Sequence, residues 1–354
     1  MTDRLREQIN AKGILLADGA TGTNLFAMGL QTGDSPELWN IDHPERIATL
    51  YRGFIDAGSD LILTNSFGGT HYRLALHNAG ERVQELNEAA ARIAREQVAD
   101  SGRDVLVAGS MGPTGEILEP NGPVSIQEAS DAFAAQANAL KDGGVDILWI
   151  ETLSSREEIE AAVKGAAPTG LPIVFTISID TNGRTMMGLT AQDIVKISTE
   201  TDVPLTGVGT NCGVGPAEVV AAIANMKNAC EQYNTAPVIV AKANCGIPEY
   251  IDGEIVYNGT PGIMYDYAIM AANSGATVIG GCCGTTPKHI QAMRSALDNY
   301  SRGVPPELDE IVDKLGEVTK GSKAQLRGEM SLAAGSASGR GARGSRRKRK
   351  SPSS

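Results

Sequence analysis

Eight short apolar runs recur along the chain with amphipathic stretches between them, and this alternation constrains the fold more than any other feature. The runs are Ile14 to Ala17, Asp60 to Thr64, Asp104 to Gly109, Asp146 to Ile150, Pro172 to Ser178, Pro204 to Gly209, Pro237 to Ala241 and Ala276 to Ile279. Each is short enough for a buried strand and bounded by turn-forming residues. Helical periodicity fills the intervals: Glu45 to Ala57, Arg82 to Ala99, Gln127 to Lys141, Ser155 to Ala166, Ala191 to Thr199, Pro216 to Gln232, Pro261 to Asn273 and Pro287 to Leu297. Pro216 and Pro287 suit first helical turns, while Gly58, Gly143 and Gly275 suit exits. Eight βα units in about 300 residues predict an α/β protein of the (β/α)8 TIM-barrel type over residues 1–300. A doubly wound open sheet is the alternative, because periodicity does not show that a sheet closes.

At 42% hydrophobic residues in 354, the chain can bury a substantial core, and only 4% are aromatic. No apolar stretch approaches membrane-spanning length, and Met1-Thr2-Asp3-Arg4 does not open a signal peptide. Five cysteines, an odd number, fit a reduced cytoplasmic protein better than a disulfide framework. After Ser301 the character changes. Residues 301–333 read as a charged helical extension, and residues 334–354 as a disordered tail of Gly, Ser, Ala and Arg ending Arg346-Arg347-Lys348-Arg349-Lys350. The tail holds seven basic residues and no acids, so the rest of the chain carries −18 of the overall −11. So acidic a body does not look like a nucleic-acid reader; only the tail could touch RNA or an acidic partner.

The chemistry concentrates where apolar runs end, the face on which parallel α/β proteins keep their sites. Gly280-Gly281-Cys282-Cys283-Gly284 follows the last run, and Asn211-Cys212-Gly213 follows the sixth. Three thiols at two strand ends suit a zinc site with one position open; a vicinal disulfide or simple burial of small apolar residues are the other readings. Cys245 ends the strand between them, and a fourth ligand there would close the position that catalysis needs, so Cys245 is expected outside the site. Cys230 reads as helix core, and His43, His71, His77 and His289 lack metal-binding spacing. Asp18, after the first run, and Glu151, after the fourth, read by themselves as a turn residue and a surface ion pair.

The segments Asp18-Gly19-Ala20-Thr21-Gly22-Thr23, Pro36-Glu37-Leu38-Trp39-Asn40, Thr64-Asn65-Ser66-Phe67-Gly68, Gly112-Pro113-Thr114-Gly115, Glu151-Thr152, Asn211-Cys212-Gly213 and Gly280 to Pro287 together resemble the homocysteine S-methyltransferase family. The resemblance runs from residue 12 to residue 298, in order. It implies a (β/α)8 enzyme that passes a methyl group to L-homocysteine to form L-methionine, with one Zn2+ on Cys212, Cys282 and Cys283. It also implies a substrate ammonium on Asp18 and Glu151. Backbone N–H groups at Gly19 and Ala20 could then take the substrate carboxylate, and Asn211 could support the site by hydrogen bonding.

Three methyl donors are open within that resemblance. Betaine-dependent members surround the trimethylammonium with aromatics, but Thr152 and Asp34 stand here where such a cage wants them, with Trp39, Phe67 and Tyr72 nearby in sequence. Several segments are closer to the homocysteine domain of cobalamin-dependent methionine synthase. A chain this short has no room for folate and cobalamin modules, so methylcobalamin would have to come on a partner protein. S-methylmethionine is the third donor. A non-catalytic scaffold acting through the basic tail is the alternative outside enzymology, and the intact cysteines and carboxylates argue against it.

Overall fold

A computed structural model describes residues 3–330 apart from residues 181, 252 and 253. Eight parallel strands run β1 (Leu15–Leu16), β2 (Leu61–Leu63), β3 (Leu106–Met111), β4 (Ile147–Leu153), β5 (Ile173–Ile177), β6 (Gly207–Cys212), β7 (Val238–Ala243) and, after a hairpin, β10 (Val278–Gly281). Their order is β1-β10-β7-β6-β5-β4-β3-β2, and a parallel bridge between Ala17 and Leu61 joins the two outer strands. The sheet therefore nearly closes into a barrel, which decides between the two topologies the sequence left open. Each of the eight expected helices forms, four of them, Pro44–Asp56, Pro216–Gln232, Pro261–Asn273 and Pro287–Asp298, opening on proline at the first turn.

Alternate residues of each strand point inward. Leu15 and Ala17, Leu61 and Leu63, Leu106 and Ala108, Ile147 and Trp149, and Val238 and Val240 share one interior cluster. A helix at Arg4–Lys12, not expected from the sequence, inserts Leu5 and Ile9 into the same cluster. It closes one end of the barrel. Continuing that alternation by one step brings β3 to β7 onto polar residues: Ser110, Glu151, Thr176, Asn211 and Lys242 are all buried. A polar layer thus sits on top of a dry interior, at the carboxyl ends of the strands.

Sequence periodicity also passed over elements inside the loops. Gly22–Ala27, Trp39–Asp42 and His71–Ala75 are short helices, and the strands β8 (Pro248–Ile251) and β9 (Glu254–Tyr257) form an antiparallel hairpin after β7. These pieces are too short for a periodicity to emerge. Beyond the barrel, helices Leu308–Leu315 and Lys320–Leu326 pack against Pro216–Gln232. The expected basic tail, residues 334–354, lies outside the described residues. No described helix is long and apolar enough to cross a membrane.

Candidate metal centre and amino-acid pocket

Cys212, Cys282 and Cys283 converge at the top of the barrel, their sulfurs all within 4.8 Å of one another. Cys212 Sγ lies 3.2 Å from Cys282 Sγ and 3.6 Å from Cys283 Sγ. Thiolates on a tetrahedral zinc, with Zn–S near 2.3 Å, would stand about 3.8 Å apart, so the sulfurs need to spread only slightly to fit the ion. Hydrogen bonds from the Cys212 and Cys282 thiols hold Cys283 well below the usual thiol range and push Cys212 up. A soft, three-sulfur set, with no fourth Cys, His, Asp or Glu grouped with it among the described residues, fits zinc in its chemistry.

Two asparagines build this cluster. Asn211 Oδ1 accepts from the Thr152 N–H at 3.0 Å and the Thr176 hydroxyl at 2.6 Å, while its Nδ2 donates to Thr152 Oγ1 at 2.7 Å and faces Cys282 Sγ at 3.9 Å. Asn244 Nδ2 donates to the Gly213 carbonyl at 2.7 Å, and its Oδ1 accepts from the Cys283 N–H at 3.0 Å. Asn244 therefore ties the Cys212 loop to the Cys283 loop. Sequence reasoning named Asn211 and passed over Asn244, although Asn244 ends the strand between the two cysteine-bearing strands. Thr152 and Cys212 both adopt left-handed backbone, φ 67° and 60°. Such conformations cost of order 1–3 kcal/mol for a non-glycine residue and persist only when surroundings impose them. Here Asn211 clamps one and precedes the other.

Tyr257, on the hairpin, was also missed. Its ring packs on Gly284, where φ is 77° and an added Cβ would lie 2.4 Å from the ring. Only glycine fits there. Cys245 stays outside the cluster, its thiol donating to the Gly259 carbonyl at 3.1 Å. Cys230 is buried in its helix, and His289 caps its own helix by accepting from the Thr286 N–H at 3.1 Å.

Beside the sulfurs lie two buried carboxylates with different surroundings. Glu151 Oε1 accepts from the Ser110 hydroxyl, and its other oxygen has no protein donor among the described residues. Burial pushes Glu151 up to about 7, against the pull of Lys242. Asp18 is fully engaged: Oδ1 meets Lys242 Nζ at 2.6 Å and Oδ2 accepts from the Leu63 N–H at 2.7 Å. Burial alone would lower Lys242, but Asp18 and Glu151 outweigh it and hold the ammonium charged. Asp18 is thus the counter-ion of Lys242, and the open carboxylate is Glu151.

The expectation for Ala20 needs correction. The Ala20 N–H donates to the Thr285 carbonyl at 3.1 Å, and a Cβ on Gly19 would lie 2.7 Å from the same oxygen. The first loop is packed on the Cys282-Cys283 loop, so Ala20 offers no N–H to a substrate carboxylate. Several other motif residues turn out to be scaffold. Glu37 accepts from the Gly68 N–H at 2.6 Å, and Asn40 and Asn65 hydrogen-bond each other at 3.0 Å. Trp39 is buried, with the Arg46 guanidinium 4.8 Å from its ring centroid. Phe67 instead lies at the barrel mouth, over Gly112.

This arrangement can be set beside known proteins. The homocysteine S-methyltransferase family model matches residues 15–297. The chain belongs to the homocysteine S-methyltransferase family. Betaine–homocysteine S-methyltransferase 1 of Danio rerio is 32% identical over 86% of this chain and 78% of its own length. Methionine synthase of Mycobacterium tuberculosis is 28% identical over 82% of this chain, which spans only 25% of that relative. Among solved structures, the homocysteine methyltransferase MmuM of Escherichia coli in its metallated form superposes with a TM-score of 0.69 at 25% identity, covering 82% of this chain and 99% of MmuM. The oxidised form of MmuM gives the same TM-score at 26% identity, covering 83% and 99%. As a member of this family the chain has a TIM-barrel fold.

Proposed function

We propose that this homocysteine S-methyltransferase depends on zinc held by Cys212, Cys282 and Cys283, and passes a methyl group to L-homocysteine to form L-methionine. The observation that carries the reading is the convergence of three sulfurs within 4.8 Å, beside a buried carboxylate with one open oxygen. Zinc bound there would keep an incoming thiol deprotonated at neutral pH and leave it the fourth position. The protein's own groups do the rest. Asn211 and Asn244 hold the two cysteine loops in register, and Glu151 accepts the substrate ammonium. Asp18 is paired with Lys242 beside it, at 2.6 Å. The homocysteine sulfur then uses an electron pair to form the S–CH3 bond, while the bond between methyl carbon and donor breaks and its electrons leave with the donor.

For the donor we propose methylcobalamin carried by a separate cobalamin-binding protein, with betaine second and S-methylmethionine third. The likeness to methionine synthase over a quarter of that protein's length supports the order, as does Trp39, whose ring already faces Arg46. The proposed division is a barrel over 1–300, a helical extension over 301–333 and a basic tail over 334–354, and the free thiols fit a cytoplasmic location. The test supplies zinc-loaded protein and homocysteine with each donor separately and measures methionine. Methylcobalamin is expected to give the fastest turnover. Methionine from none of the three would overturn the reading, and efficient betaine-dependent formation would reverse the donor order.

A further inference from the structure

Ser110 donates the hydrogen bond that Glu151 receives, and its own backbone is held in an uncommon way. It lies on β3, in the same buried polar layer as Glu151 on the neighbouring β4. The β2–β3 ladder pairs Leu61 to Leu63 with Leu106 to Ala108 and stops there, so Ser110 stands beyond the end of β2. Two hydroxyls from the turn after β2 take over from the missing strand. The Ser110 N–H donates to Thr64 Oγ1 at 3.0 Å, and the Ser110 carbonyl accepts from the Ser66 hydroxyl at 2.7 Å. Thr64 Oγ1 and Ser66 Oγ lie 2.6 Å apart. Because the Ser66 proton is already given to Ser110, Thr64 must be the donor in that contact. The three bonds close into a ring around the Ser110 backbone that runs in one direction, and all three residues are buried.

We infer that Ser110 is a positioning residue for Glu151: held by Thr64 and Ser66, its hydroxyl fixes one oxygen of the Glu151 carboxylate and turns the other toward the incoming substrate ammonium. The inference rests on the reading of the site as a homocysteine pocket and names what aims the acceptor there. The last torsion of a glutamate side chain is broad, so burial by itself does not set the plane of the carboxylate. A hydrogen bond from a fixed donor does. The ring uses only the N–H and C=O of residue 110, which any residue but proline would supply. The scaffold therefore has no need of the Ser110 hydroxyl, whose single proton goes to Glu151 Oε1. Glu151 Oε2 is left without a protein donor among the described residues, which is the state an acceptor of a substrate N–H requires.

The test compares two thiols on zinc-loaded, full-length protein by calorimetry: homocysteine and γ-mercaptobutyrate, which keeps the thiol and carboxylate and lacks the ammonium. Their affinity ratio reads the ammonium site, since both reach the metal through sulfur. Wild-type protein is expected to prefer homocysteine by about tenfold or more. Ser110→Ala removes the hydroxyl and keeps the ring, so zinc content and mercaptobutyrate affinity should hold while the ratio falls about five- to tenfold. Ser110→Thr restores a hydroxyl and should return the ratio to within about twofold of wild type. A hydroxyl that served folding alone would lower the melting temperature of Ser110→Ala and leave the ratio unchanged, and that result overturns the inference. So does a ratio in Ser110→Thr as low as in Ser110→Ala. Should Ser110→Ala not fold, Ser66→Ala opens the ring with the Ser110 hydroxyl still present; the ratio should then fall about two- to threefold, and an unchanged ratio overturns the inference. A wild-type ratio near one would instead refute the homocysteine pocket itself, and the inference with it.

Discussion

Cys282 and Cys245 stand two strands' ends apart in sequence logic but differ entirely in surroundings, one among sulfurs and the other bonded to a backbone carbonyl. Elemental analysis of purified variants should therefore find zinc lost in Cys282→Ser and retained at one equivalent per chain in Cys245→Ser. The opposite pattern would dismantle the ligand set. Glu151 supplies a second prediction at this scale. With its carboxyl pushed up to about 7 by burial, it is neutral below that pH and charged above it. The homocysteine ammonium stays protonated throughout, so affinity should rise as pH climbs through about 7, and Glu151→Gln should flatten that component while weakening binding roughly ten- to a hundredfold. Stability moves the other way. A folded-state value raised above the ordinary 4.5 means the native protein holds a proton that the unfolded chain releases, so the contribution of Glu151 is full below 4.5 and lost as pH rises to about 7. Calorimetric titration and thermal melts across this window check both signs.

At the scale of elements, the helix Pro216–Gln232 links the site to the chain's end. It starts just after the Cys212 loop, and in its first turn the buried Glu218 accepts from the Thr319 N–H and the Ser322 hydroxyl. These bonds fasten helix Lys320–Leu326 to the barrel. Glu218→Ala should cost about 1.5–3 kcal/mol, since a buried and a half-buried donor lose their shared acceptor. Hydrogen exchange is expected to speed up across Thr319 to Leu326 while zinc content stays at wild type; unchanged exchange there would show that the helix is held by apolar packing alone. Strand alternation is the other lesson at this scale. Counting by twos from Val238 and Val240 lands on Lys242, and from Ile147 and Trp149 on Glu151. That parity was available in the sequence and would have marked Lys242 as inward. Charge alone drew attention to Glu151 only through its neighbours in a family motif.

For the whole molecule, the sequence by itself determined the eight-fold alternation, the strand ends that bear chemistry, the three cysteines and the family. These are legible because strand and helix periods, glycine and proline stops, and cysteine spacing are local properties of the chain. Only the tertiary structure decided that the sheet nearly closes, since the pairing of Ala17 with Leu61 joins strands whose approach no local pattern encodes. It also decided the partners of each polar group. Asp18 looks like an open carboxylate until Lys242, more than two hundred residues later, is brought to it. Ala20 looks like a free donor until Thr285 arrives, and Asn244 looks like a turn until it is found holding both cysteine loops. A side chain's type follows from sequence, but whether its charge or hydrogen bond is already spent depends on neighbours that closure of the barrel supplies.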